Sequence, residues 1–204
     1  MKRIILLLGV LITGLSLSFA AETADAVLKK ATSRIAAGGG ISASFTLNSD
    51  GQKVSGTLKA EGKKFAIETG SSSTWYDGKT MWTYNPRTSE TTVMLPTAQE
   101  VAEANPLSII NNYSGTFTAA FAKTQTKGSK TIVLSPKSKK SGYKSVYVTI
   151  PDNSGLPSMI VVNPQSGRKI TVSITKTALH QKFAASTFTY PRAKYPKAEI
   201  IDLR

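Results

Sequence analysis

Cysteine is absent from this chain of 204 residues, and histidine occurs once, as His180. Without cysteine there are no disulfide bonds, so a hydrophobic core must hold the fold together. Metal sites and acid–base or nucleophilic catalysis need several converging His, Cys or carboxylate groups. The sequence has one histidine, scattered aspartates, no G-x-S-x-G motif and no phosphate-binding glycine loop. We therefore expect no catalytic residue, no metal site, no cofactor and no enzymatic activity.

Long apolar runs are also scarce, and the most conspicuous one lies at the start of the chain. Lys2 and Arg3 precede an apolar stretch over residues 4–17, and Ser18-Phe19-Ala20 follows the small-x-small pattern of a signal-peptidase site. The stretch is shorter than the ~20 residues that span a membrane, although a retained anchor is the alternative. The pattern predicts that residues 1–20 are a signal peptide removed after Ala20. Residues 21–204 are then a single domain exported to a bacterial periplasm.

Acidic residues are few, with 12 Asp and Glu against 26 Lys and Arg, a formal net charge of +14. Removal of Lys2 and Arg3 with the signal peptide leaves 24 against 12, or +12. Such a charge often marks nucleic-acid binding, but an exported protein rarely meets nucleic acid, so we expect no such partner. Anionic membranes, phosphorylated lipids, an acidic protein or a merely solvated surface remain open interpretations.

A helix is predicted over residues 23–37. Its apolar face comprises Val27, Leu28, Ala31 and Ile35, and Thr23 is suited to cap its first turn. The glycines at 38–40 end it. A helix with such an apolar stripe requires an apolar surface to pack on.

Most of the remaining chain alternates between apolar and polar residues, as strands do. Residues 41–95 read as six strands joined by turns too short for crossover helices, which implies antiparallel order. Residues 96–112 break the alternation and predict one or two short helices that cover the sheet. Strands resume at residues 117–121, 131–134, 143–150, 156–162 and 170–174, with 188–190 as a candidate last strand. The predicted fold class is mainly β with α: a single curved antiparallel sheet, or incomplete β-barrel, covered by an N-terminal helix and inserted helices.

Residues 73–95 concentrate aromatic side chains. Trp75 ends one strand, Asp77-Gly78 predicts a tight type I′ turn, and Trp82 and Tyr84 lie two residues apart on the next strand. Such rings belong either to a filled core or to the wall of an apolar ligand site. A concave apolar sheet under helices is a way to hold acyl chains.

The aromatic run DGKTMWTYNP at residues 77–86 is similar to the strand-turn-strand signature of the periplasmic outer-membrane lipoprotein carriers, the LolA-like family. SGTL at 55–58 leading to Phe65, NPLS at 105–108 and the ending that starts with YPKAE at 195–199 add to the resemblance. The similarity extends in order over the whole predicted mature chain. It implies an incomplete barrel whose lid helices close an apolar cavity.

The resemblance also implies a function and partners. Members of this family take acylated lipoproteins from an inner-membrane ABC-type release complex and carry them through the periplasm to the outer membrane. An outer-membrane acceptor does not follow for this chain, and we expect a monomer. The alternatives are carriage of another lipid or glycolipid, and a periplasmic sensor module of the same fold.

With the apolar face of each strand taken as the inner one, the sequence predicts a lipid-binding wall and a lid. The predicted wall comprises Phe45, Leu47, Leu58, Phe65, Ile67, Trp75, Trp82 and Tyr84. The predicted lid residues are Leu107, Ile109 and Ile110. Well-known members of the family have an arginine that latches the lid, in the turn that corresponds to residues 61–64. This turn has no arginine here, which leaves Lys63 or Lys64 as the candidate latch.

Overall fold

The computed structural model describes residues 22–105, 107–111 and 113–204. The predicted signal peptide and its cleavage site lie outside the described residues, as does Pro106 in the predicted helical insertion. None of the helices in the described ranges is both long and apolar enough to cross a membrane.

One twelve-stranded sheet dominates the described chain. Its strands are β1 (Gly40–Ser49), β2 (Gln52–Glu61), β3 (Lys64–Thr69), β4 (Ser73–Tyr76), β5 (Met81–Asn85), β6 (Glu90–Met94), β7 (Phe117–Phe121), β8 (Ser129–Pro136), β9 (Tyr143–Pro151), β10 (Met159–Pro164), β11 (Ile170–Gln181) and β12 (Glu199–Asp202). The order across the sheet is β12-β6-β5-β4-β3-β2-β1-β11-β10-β9-β8-β7. The sheet is curved and not closed into a barrel, so β12 and β7 are its edges. The predicted fold class, including six strands between residues 41 and 95, is confirmed.

In the described part of the sequence, one α-helix precedes the first strand and three lie between β6 and β7. They are α1 (Ala24–Ala37), α2 (Ala98–Ala104), α3 (Leu107–Asn111) and α4 (Tyr113–Thr116). The predicted cap of α1 is confirmed, because Thr23 Oγ1 accepts a hydrogen bond of 3.1 Å from the backbone N–H of Ala26. Val27, Leu28 and Ala31 are buried, as the apolar stripe predicts, whereas Ile35 is half-buried. The helix thus covers one part of the sheet.

Two local predictions need correction. The Asp77-Gly78 connection is not a two-residue type I′ turn, because β4 ends at Tyr76 and β5 begins only at Met81. The Asp77 carboxylate accepts hydrogen bonds from the backbone N–H groups of Lys79 (2.8 Å) and Thr80 (2.7 Å), which favours the longer loop.

The second correction concerns the last strand. Residues 188–190 do not form it: Phe188 ends a 3₁₀ helix, Ala185–Phe188. The last strand is β12, which runs parallel to β6, unlike every other pair in the sheet. Residues 182–198 therefore cross the outside of the sheet before the chain can join that edge in a parallel direction.

The core packs on both faces of the sheet. On the inner face, which α1–α3 cover, one cluster gathers around β8–β11 and a second around β1–β5. On the outer face a third cluster joins Ala66 and Trp75 to Phe188 of the C-terminal segment. Both faces of β3–β5 are thus covered.

Candidate functional site

The inner face of β1–β3 brings together four residues of the predicted wall. Leu58 and Phe65 are buried there, and Phe45 and Ile67 pack against them. Strand pairing explains the arrangement, because Leu58 lies opposite Ile67 in the β2–β3 pair. Leu47 alternates with Phe45 along β1 and is half-buried on the same face. These five side chains form the apolar floor of the candidate site.

Helices α2 and α3, which we call the lid, lie over this floor. Ile109 and Ile110 are buried in the larger inner cluster, and Leu107 packs against both inner clusters. Val101 and Ala104 of α2 add contacts to the smaller cluster. The predicted lid residues therefore face the sheet.

The lid begins with a well-formed cap. Thr97 Oγ1 accepts a hydrogen bond of 3.3 Å from the Glu100 N–H, and the Glu100 carboxylate accepts one of 2.7 Å from the Thr97 N–H. This reciprocal pair is a capping box. Hydrogen bonds from the Thr97 backbone and side chain hold the pKa of Glu100 below its usual value. The cap fixes where the chain leaves β6 and becomes the lid.

One pocket reaches between the lid and the sheet beside Leu107, and it is small. A pocket lined by Ile41, Ala43, Leu107 and Ile174, among others, offers about 10 Å³ to the centre of a water-sized sphere. Ligand pockets for small molecules commonly measure about 300–1,000 Å³. A ligand of that size would need the lid to move away from the floor.

The other three aromatic residues of the predicted wall, Trp75, Trp82 and Tyr84, lie on the opposite face of the sheet. Trp75 is opposite Trp82 in the β4–β5 pair and opposite Ala66 in the β3–β4 pair, so these residues share the outer face with Tyr84. There Trp75, 2% exposed, packs with Phe188, and Tyr84 lies 4.1 Å from the ring centroid of Tyr195. The assignment of Trp75, Trp82 and Tyr84 to the inner wall is corrected.

The inner face of β4 and β5 is instead formed by residues that the sequence analysis did not select. Met81 is buried in the smaller inner cluster, with Tyr76 and Met94 packed against it. Tyr76 lies opposite Phe65 across the β3–β4 pair. Following the strand pairing from Phe65 to Tyr76 and then to Met81 identifies this face. The sequence prediction chose the opposite face because it selected the large tryptophan side chains.

An open groove lies beside Trp82 on the outer face. It measures about 270 Å³ by the same measure and is bordered by Tyr190, Arg192 and Arg204. Arg204 is engaged with Asp202, and the guanidinium lowers the pKa of that carboxyl to about 2. The groove is separate from the floor and lid.

Neither candidate lysine latches the lid. Lys64 alternates with Phe65 along β3 and so belongs to the outer face, away from α2 and α3. Lys63 is exposed in the preceding turn. Within the described ranges, neither ammonium group makes a hydrogen bond or ion pair with a helix.

A different contact connects the end of the lid to α1. The hydroxyl of Tyr113, which follows α3, donates to Asp25 Oδ1 at 2.6 Å, with the Asp25 carbonyl oxygen at 3.3 Å. The Lys29 ammonium, 2.8 Å away, and the Tyr113 hydroxyl lower the pKa of Asp25. Burial and Asp25 raise the pKa of Tyr113 to about 12. Near neutral pH the pair is therefore a neutral donor and an ionised acceptor, which favours the bond.

Replacing Tyr113 by phenylalanine tests this connection. The change removes the hydroxyl and keeps the ring, so amides of α3 and α4 should exchange with solvent roughly tenfold faster. Native-state hydrogen exchange measures the difference. Tyr143→Phe is the matched control, since the Tyr143 hydroxyl is buried without a partner in the described chain and its loss should loosen nothing. Equal exchange in native and Tyr113→Phe protein would show that the contact does not hold the lid.

Comparison with known protein families agrees with this arrangement. A family model described as "Outer membrane lipoprotein carrier protein LolA" matches residues 15–166, which is most of the chain. The chain belongs to the LolA family. That family and its fold are those of carrier and binding proteins. Comparison with curated proteins gave no match.

Solved structures similar to this LolA-family protein share its fold at low sequence identity. An uncharacterized conserved protein from Thermus thermophilus is 12% identical, with a TM-score of 0.59, over 88% of this chain and 98% of that one. A DUF1329 family protein from Desulfovibrio piger is 10% identical, with a TM-score of 0.50, over 83% and 98%. A putative outer membrane lipoprotein-sorting protein domain from Vibrio parahaemolyticus is 10% identical, with a TM-score of 0.47, over 80% and 94%. At these identities the first two establish the fold alone.

Proposed function

We propose that this LolA-family protein is a periplasmic carrier that shields the acyl chains of lipoproteins between the lid and the sheet. The observation that supports this most directly is the packing of Leu107 of the lid on the apolar floor formed by Phe45, Leu58, Phe65 and Ile67. Ile109 and Ile110 are buried beside it in the adjoining inner cluster, which Phe45 and Leu107 also contact. The floor and the lid are apolar on the sides that face each other. Such a surface suits an acyl chain, which offers no polar group for recognition.

The energetics explain why a movable cover is needed. Each buried CH₂ contributes ~0.8 kcal/mol, so a 16-carbon chain favours an apolar site over water by about 13 kcal/mol. When an acyl chain enters, it replaces the contacts that the lid makes with the floor. The free energy gained by burying the acyl chain is partly offset by the lost lid contacts. The net affinity is therefore low enough for the acyl chain to be released.

The lid is built for such a displacement. Its helices are short, at seven and five residues, and no residue of α2 is fully buried. Short helices gain most of their stability from tertiary packing rather than from their own hydrogen bonds. The Tyr113–Asp25 bond supplies a polar attachment beyond the end of α3, in addition to the apolar contacts of the lid.

Partners follow from the proposed role. The carrier receives acylated lipoproteins from an inner-membrane ABC-type release complex and delivers them to the outer membrane. Export depends on the predicted signal peptide, and the mature chain then starts at Ala21. The chain works as a monomer in this proposal, because one floor and one lid make a complete site.

Native mass spectrometry of the protein purified from the periplasm of its own cells tests the proposal. Acylated peptides or lipoproteins bound in a one-to-one complex are the expected result. A different lipid or a glycolipid in their place would assign the site to another cargo. A protein that carries no acylated species after purification without detergent would contradict the carrier role.

A further inference from the structure

The net positive charge of residues 21–204 comes almost entirely from one part of the chain. Residues 104–198 contain 14 Lys and Arg and a single acidic residue, Asp152, whereas residues 21–103 contain nine basic and nine acidic residues. The basic part includes strands β7–β11 and the loops between them. The excess of positive charge is therefore local, and an average over the whole surface does not describe it.

Within this part, six cations lie at one end of the strands. The β8–β9 loop and the start of β9 carry four lysines, and the β10–β11 loop carries Arg168 and Lys169. We call this set the basic rim: Lys137, Lys139, Lys140, Lys144, Arg168 and Lys169. All six side chains are exposed.

Hydrogen bonds hold the two loops together. The Gln165 N–H donates to the carbonyl oxygen of Gly142 at 2.8 Å, and the Gln165 side-chain amide donates to the carbonyl oxygen of Tyr143 at 3.3 Å. The cations of the two loops are thus presented side by side at one end of the sheet.

Few acidic groups neutralise the rim. Arg168 pairs with Asp50 at 3.0 Å. Burial raises the pKa of the Tyr143 phenol, and the nearby Glu103 of α2 adds to that shift. Lys139, Lys140, Lys144 and Lys169 make no ion pair within the described residues. At the opposite end of these strands, by contrast, Lys130 is paired with both Glu22 (2.8 Å) and Asp152 (3.3 Å).

The rim also borders the lid. A Cβ added at Gly142 would lie 3.5 Å from Nε2 of Gln99 in α2. The Lys137 ammonium donates to the carbonyl oxygen of Ser114 in α4 at 2.6 Å. A partner surface that binds the rim therefore lies next to the edge of the lid.

We propose that the basic rim docks the protein on the anionic surface of a phospholipid bilayer, with the lid next to the membrane. The inference rests on the proposed carrier function, in which acyl chains pass between this protein and a membrane. Exposed lysines without ion-pair partners suit a fluid layer of anionic headgroups. Each adds on the order of fivefold to membrane partitioning. A folded acidic protein would require the cations at fixed positions.

Cosedimentation of the exported protein with vesicles tests the rim. Lys139→Gln, Lys140→Gln and Lys144→Gln are combined in one variant, which leaves the Lys137–Ser114 contact in place. The matched control combines Lys123→Gln, Lys127→Gln and Lys176→Gln, which removes the same charge from exposed positions away from the rim. Vesicles of phosphatidylglycerol and phosphatidylcholine should bind the native protein and the control, and bind the rim variant on the order of a hundredfold more weakly. Binding should fall with added salt and be absent with phosphatidylcholine alone.

Several outcomes would overturn the proposal. The first is an equal loss of vesicle binding in the rim variant and in the control. The second is equal binding of the native protein to neutral and anionic vesicles. The third is a native protein that binds no vesicles but binds polyglutamate through the same lysines. The last result would assign the rim to an acidic protein. Uptake of a soluble acylated peptide, measured in parallel, reports the carrier function separately and should be the same in all three proteins. If the native protein binds vesicles but takes up no acylated peptide, the carrier role is refuted and the docking role of the rim is still supported.

Discussion

Replacing Ile110 by aspartate is expected to abolish lipoprotein release from spheroplasts when the variant is present at the native level. Ile110 is 1% exposed and lies in the larger inner cluster, where an ionised carboxylate would have no partner. Truncation of a buried isoleucine alone costs about 2–5 kcal/mol, and a buried charge adds to that cost. The lid should therefore leave the sheet, so that it no longer covers a bound acyl chain and shields it from water.

The measurement combines the release assay with circular dichroism, which shows whether the sheet remains folded. Ile110→Val is the matched control, because it keeps an apolar side chain and costs about 0.5–1.5 kcal/mol. We expect the valine variant to release lipoprotein like the native protein. Normal release by a folded Ile110→Asp variant would show that lid closure is not part of the mechanism.

Replacing Phe188 by alanine is expected to cause the largest loss of stability without a loss of acyl-chain binding. Phe188 is 0% exposed, packs with Ala66 and Trp75, and meets the Phe183 ring edge-on at 5.7 Å between centroids. Removal of a buried phenylalanine side chain costs about 3–5 kcal/mol. For a protein of this size that lowers the melting temperature by roughly 10 °C.

Thermal unfolding measures the stability, and binding of an acylated peptide below the transition measures the function. Because Phe188 lies on the outer face, the folded fraction should bind the peptide with native affinity. Weaker binding by the folded Phe188→Ala protein would mean that the outer aromatic cluster belongs to the lipid site after all.

Strand alternation made most of the fold predictable from sequence. Between residues 41 and 95, apolar and polar residues alternate with a period of two. The connecting turns are too short for the crossovers that parallel strands need, so the strands must pair as antiparallel hairpins. The helix from Ala24 to Ala37 follows from its cap and its apolar stripe. The C-terminal strand was missed because its pairing with β6 is a long-range parallel contact, which no local pattern announces.

The site was predictable only in part, because both faces of β3–β5 are covered. Alternation places Trp82 and Met81 on opposite faces, but it does not say which face is the inner one. The answer depends on the C-terminal segment, which buries the tryptophans on the outside. The Tyr113–Asp25 contact joins residues that are far apart in sequence, so it too is visible only in the folded chain.

The central claim is that an acyl chain enters between the lid and the sheet, and a reversible cross-link tests it most directly. The native chain has no cysteine, so Gln99→Cys and Gly142→Cys introduce the only two thiols. These positions lie in α2 and in the β8–β9 loop, where a Cβ at 142 would be 3.5 Å from the Gln99 side chain. A short bis-methanethiosulfonate reagent then ties the lid to the sheet.

Uptake of an acylated peptide is compared before cross-linking, after it, and after reduction, with each single-cysteine variant treated in the same way as a control. We predict that the cross-linked protein takes up no peptide, that reduction restores uptake, and that the single-cysteine controls bind throughout. Undiminished uptake by the fully cross-linked protein would contradict the account, because the acyl chain would then bind without displacing the lid.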